Sequence, residues 1–167
     1  MELGVFLIRV VVGLSLAAHG AQKLFGVFGG YGLTGTGRFF ESIGFRPGRV
    51  MATVAGLAET GGGLAFALGL LTPFAAAAII ATMAVAIWGV HIEKGFFSQD
   101  GGYEYPLTIG AIALGIAFTG AGSLSLDAFL GFPLAGSEWG LVALGLGLAG
   151  ALPPLVTRAT AIGQKTS

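Results

Sequence analysis

Long apolar runs separated by short polar connections set the pattern of this chain. Residues 3–25 carry only Arg9 and Lys23 as charges, 48–71 only Arg49 and Glu59, 74–92 and 105–122 none, and 138–157 only Glu138. A run of about 20 apolar residues crosses the roughly 30 Å hydrocarbon layer of a bilayer as a helix. In lipid every backbone group must find its partner inside the segment, which favours helices over open sheets. The pattern therefore predicts an all-α, polytopic transmembrane helix bundle. It has four core helices within residues 1–132 and a fifth C-terminal helix, with a short basic tail, within 133–167. Leu71-Thr72-Pro73 makes a tight turn, because proline suits a helix start and not its interior, so the second and third spans form an antiparallel hairpin. In the longer first connection, "GGYGLTGTGRFFESIGFRPGR", residues 38–43 are expected to form a short interfacial helix. Pro153-Pro154 and several glycines make the fifth span the weakest.

Composition agrees with this pattern. Of 167 residues 54% are hydrophobic and 10% charged, where a soluble domain has roughly a quarter charged, and the mean hydropathy is +0.88. The formal net charge is zero, which leaves no basic face for nucleic acid. There is no cysteine, hence no disulfide, thiolate metal site or thiol nucleophile, and no metal site is expected. Met1-Glu2 lacks a basic leader region, so the first run reads as a retained span. Arg38, Arg46, Arg49, Lys94, Arg158 and Lys165 all fall on one side of a five-span arrangement. Short basic connections face the cytoplasm, which orients the N-terminus outside and the C-terminus inside.

The glycines, 31 of them, exceed what turns require and point to close helix packing through small residues. Gly13, Ala17 and Ala21 form one such stripe, and Ala52, Ala55, Gly56, Gly62 and Gly63 surround Glu59. These Gly/Ala faces also offer a route to self-association.

Charge at membrane depth costs at least about 2.5 to 3.5 kcal/mol and seeks a partner. Arg9 and Glu59 are the two candidates, on antiparallel helices with a vertical offset of roughly 8 Å at 1.5 Å per residue, which predicts an Arg9–Glu59 ion pair. Its role is either packing and register, or that of a proton-carrying or ligand-binding carboxylate at the midplane. A second cluster gathers at the inner ends: His19, Gln22 and Lys23; Trp88 and His91; Tyr103 and Glu104. Lysine snorkelling and an aromatic belt explain such residues in any membrane protein. They also suit hydrogen bonding to a quinone headgroup, and two histidines on separate helices are the donor set for a haem iron.

Three stretches, "LIRVVVGLSLAAHGAQKLFG", "AGLAETGGGLAFALGLLTPFAA" and "EKGFFSQDGGYEYPLTIGAIALGIAFTGAG", resemble the DoxX family of small bacterial membrane proteins over roughly residues 3–130. The resemblance implies a four-helix membrane bundle in the bacterial plasma membrane, with the family's Arg, His and Lys on Arg9, His19 and Lys23, its second-span Glu on Glu59 and its third-loop acid on Glu104. It also implies a redox neighbourhood, since the family is associated with quinone-linked sulfur oxidation and with a membrane oxidoreductase complex in oxidative-stress defence. Two functional classes follow. One is a membrane subunit of a quinone-linked redox complex with a soluble oxidoreductase partner. The other is a non-catalytic scaffold or small-molecule or lipid carrier. Whether the chain is itself an enzyme stays open at this point.

Overall fold

The computed structural model describes residues 2–166, with side chains described through residue 162. The Lys165 side chain, counted above in the basic tail, lies outside the described residues. Seven α-helices follow in order: α1 (Glu2–Phe25), α2 (Gly32–Ser42), α3 (Gly48–Leu68), α4 (Thr72–Ala86), α5 (Glu104–Thr119), α6 (Leu126–Phe129) and α7 (Ser137–Thr166). No strand occurs among the described residues. A π-helical turn, Ile87–His91, and a 3-10 turn, Ile92–Lys94, prolong α4. Four segments are long and apolar enough to span a membrane: α1, α3, Thr72–Lys94 and Ser137–Ile162. Helix α5 is shorter, about 24 Å at 1.5 Å per residue.

All five helices run between the same two ends. Glu2 at the start of α1 accepts a hydrogen bond from Ser123 N just beyond α5, and Gly136 N, just before α7, donates to Phe118 O. At the other end Arg158 of α7 donates to Ile43 O after α2. One end thus carries Arg38, Arg46, Arg49, Lys94 and Arg158 and is called here the basic end. The other carries Glu2, Asp127 and Glu138 and is called the acidic end.

Helix α4 is the hub, packing on α3, α5 and α7. It is apolar on every side, as a helix surrounded by others must be, and buries Ala75, Ala76, Ile79, Ile80 and Met83 against Ile109, Ala113 and Ile116 of α5 and Ala143 of α7. The outward faces of α1, α3 and α7 expose Leu7, Val11, Val54, Leu57, Leu141 and Leu152, which is the surface lipid wets.

Helices α1 and α3 form the closest pair, and glycine makes it so. A Cβ on Gly13 would meet Ala67 N at 2.7 Å, one on Gly63 would meet Ala17 N at 2.7 Å, and one on Gly56 would meet Leu24. Gly13, Leu16, Ala17 and Gly20 are the buried positions of this seam, so the small-residue stripe offered for self-association is filled from within the chain.

Several boundaries differ from the sequence expectation. The second span stops at Leu68, because Gly69 turns left-handed at φ 62° and caps it. The interfacial helix begins six residues earlier than expected, at Gly32. The last helix continues to Thr166 through both prolines. There Thr157 Oγ1 donates to Pro154 O.

Candidate functional site

The α1–α3 seam pairs Gly13 with Gly63 and Ala67, Gly20 with Gly56 and Thr60, and Leu24 with Gly56. Phe25, where α1 ends, is therefore level with about residue 54, and the first turns of α3 extend past it. The glycine-rich connection and α2 fill that step. Gly37 of α2 lies against the α3 start, where a Cβ would meet Arg49 Cα at 3.0 Å, and Glu41 accepts from Gly48 N at 3.1 Å. Between α1 and this segment is an open cavity of about 620 Å³. Its walls are His19, Gln22 and Lys23 on one side and Tyr31, Phe39 and Phe40 on the other, with glycines 29, 30 and 35 between.

The polar atoms of the cavity have assignable roles. Gln22 Nε2 donates to Phe28 O at 2.9 Å, which turns Gln22 Oε1 toward His19 Nδ1, 3.1 Å away. A carboxamide oxygen only accepts, so Nδ1 carries the hydrogen. Among the described residues His19 Nε2 has no protein partner: it accepts when the ring is neutral and donates when the ring is charged. Lys23 Nζ is bonded to Glu59 Oε2, the one ion pair among the described residues. Glu59 is 7% exposed and faces α1 from behind Lys23.

The expected Arg9–Glu59 pair is not formed. Glu59 lies opposite residues near 20 in the seam, about ten residues or roughly 15 Å from Arg9, nearly twice the offset expected from helix lengths alone. Direction adds to distance. Side chains on a helix lean toward its N-terminus, so Lys23 and Glu59, on antiparallel helices, lean toward each other, whereas Arg9 and Glu59 lean apart.

Arg9 instead closes the acidic end. It is fully buried and donates to Leu124 O at 2.5 Å and, at a longer 3.5 Å, to Ala67 O near the end of α3. Beside it lies Asp127, in the connection that follows α5. Asp127 is 4% exposed. Its carboxylate accepts from Leu71 N at 2.6 Å, from Thr72 N at 2.9 Å and from Thr72 Oγ1 at 2.6 Å, while its own N donates to Gly69 O at 2.8 Å. It thus caps the N-terminus of α4 from 55 residues away, where a local Ser, Thr or Asp would ordinarily serve. The only sequence signal for it is the Ser125-Leu126-Asp127-Ala128 run, in which Ser125 Oγ accepts from Ala128 N at 3.1 Å and starts α6.

The rest of the expected inner cluster shares the basic end without joining the His19 cavity. His91 Nδ1 lies 2.6 Å from Gly101 O and so donates to it. Glu104 Oε2 accepts from Ser98 N at 3.0 Å, Tyr103 packs edge-on against Phe96, and Trp88 is largely exposed. These residues shape the α4–α5 connection. None of Trp88, His91, Tyr103 and Glu104 lines the cavity that His19 lines, so the expected single mouth is divided in two and the two histidines do not face one ligand. Depth is set by position along a helix; the side of the bundle is not.

The DoxX family model matches residues 4–92, which is more than half of the chain and runs from the start of α1 through the π-helical turn after α4. No curated protein and no solved structure matches the chain.

Proposed function

The chain belongs to the DoxX family of multi-pass membrane proteins, and from that premise we propose that it is the membrane subunit of a redox complex, with its α1–α2 cavity taking a quinone-class headgroup. The observation that carries this reading is the cavity itself. At about 620 Å³ it falls within the range of small-molecule sites, which combine mostly apolar walls with a few convergent polar groups. The donor set suits the ligand. Lys23 keeps N–H donors beyond the one given to Glu59, and His19 Nε2 donates to a carbonyl when charged or accepts from a hydroxyl when neutral. Tyr31, Phe39 and Phe40 supply flat apolar faces. A bound quinone would supply two-electron, two-proton chemistry. The residues of this chain hold and orient its ring oxygens and offer aromatic faces to its ring.

Purified in native lipid discs, the protein is expected to carry quinone in stoichiometric amount. His19→Ala is expected to lower occupancy about three- to tenfold, the effect of one hydrogen bond. Discs empty of quinone in the unmodified protein would shift the reading to a scaffold or lipid carrier.

The location proposed is the bacterial plasma membrane, with the basic end in the cytoplasm, the N-terminus outside and the C-terminus inside. It is supported by the gathering of basic side chains at one end of all five helices. A fluorescent reporter fused after Ser167 should fold and emit, and a phosphatase fused there should be inactive. An active phosphatase would reverse the orientation.

A further inference from the structure

We propose that Glu59 is the specificity-determining residue of the α1–α2 cavity: it neutralises Lys23 from behind, so that the site selects neutral carbonyl headgroups over carboxylates. The inference rests on the reading that this cavity is the ligand site, and it adds what kind of headgroup is admitted.

No Asp or Glu is among the residues that line the cavity, and Lys23 is its one permanent cation. Taken alone, such a wall attracts anions. Lys23 is not alone, because Glu59 sits directly behind its ammonium in the seam between α1 and α3. The acid is almost wholly buried while Lys23 is partly open. A ligand in the cavity therefore meets the cation first and the anion one contact further on. A carboxylate is pulled by one and pushed by the other, and with the acid about twice as far away as the cation the push cancels roughly half of the pull. It also loses its hydration on entry without a free cation to compensate. A carbonyl carries no net charge, takes one of the remaining N–H donors of Lys23 and meets no repulsion. The seam has no second acid to spare, and Thr60 Oγ1, the neighbour of Glu59, is buried without a partner.

The test uses two probes with the same acyl chain, one neutral and one charged, methyl dodecanoate and dodecanoate, at matched mole fraction in lipid discs, with occupancy read by native mass spectrometry. In the unmodified full chain the ester is expected to bind at least tenfold better than the carboxylate. Equal or stronger carboxylate binding overturns the proposal without any variant. Glu59→Gln, close in shape, is expected to raise carboxylate occupancy about tenfold or more and to change ester occupancy less than about threefold. The double variant Lys23→Gln, Glu59→Gln should return carboxylate to its low level. A Glu59→Gln protein that folds and gains no carboxylate overturns the assignment. Ester selected and no quinone retained would keep the charge filter and remove the quinone reading; quinone retained and no charge discrimination would do the reverse.

Discussion

Gly63→Ala is expected to destabilise the protein by about 3 kcal/mol or more, while Gly61→Ala, two residues along the same helix, leaves it unchanged or slightly more stable. At Gly63 a new Cβ would stand 2.5 Å from Gly13 O and 2.7 Å from Ala17 N. Both are backbone atoms of α1 and cannot swing aside, so the two helices must separate along their whole seam. Overpacking costs about 1–3 kcal/mol where side chains can yield, and here none can. At Gly61 nothing lies within 4 Å, and exchange of a helical Gly for Ala is favourable by roughly 0.5–1 kcal/mol. Thermal melting of the two variants in one detergent, followed by size-exclusion profile, measures the contrast. Equal melting temperatures would mean that α1 and α3 are not packed in this register. Gly63→Leu is expected to give no monodisperse protein.

The second large effect is expected from Asp127→Ala. Removing the carboxylate strips Leu71 N, Thr72 N and Thr72 Oγ1 of their acceptor and leaves the buried Arg9 guanidinium without its nearby anion. A buried donor left without its acceptor costs about 1–3 kcal/mol, and loss of a helix cap alone about 0.5–2 kcal/mol. The melting temperature should fall by the larger amount. Asp127→Asn separates the contributions, since it keeps one acceptor oxygen and drops the charge. A loss in Asn close to that in Ala assigns the stability to the charge facing Arg9; a much smaller loss assigns it to the cap. No loss in either would show that the acidic end is held by apolar packing alone.

These two positions mark where the sequence is readable and where it is not. The helix spans follow from hydropathy, because lipid leaves the backbone no alternative. The small-residue seam follows from spacing, because only Gly and Ala permit backbones to touch, and the small residues around Glu59 carry it into that seam. The partner of Glu59 was not legible. It depends on the offset between two antiparallel helices, which glycine contacts set and helix lengths do not, and on the lean of side chains toward each N-terminus. Asp127 was less legible still. A lone acid in a short connection carries no local sign that it caps a helix 55 residues upstream. The inner cluster shows the same limit in another direction. His19 and His91 share an end of the bundle, but sequence gives depth and not azimuth, and the structure puts them in different walls.

The distance along the chain from Thr72 to its capping carboxylate has a bearing on biosynthesis. Ribosomes add about 5–20 residues per second, so the 55 residues between Thr72 and Asp127 take roughly 3–11 s to appear. During that interval the α3–α4 hairpin must enter the bilayer with the amides at its turn uncapped and with Arg9 lacking the Leu124 carbonyl it will later hold. Closure of the acidic end is thus a late event, possible only after α5 has crossed and α6 has emerged, and a chain that stalls before residue 124 leaves the insertion machinery holding a hairpin and an arginine still exposed to water or to chaperone.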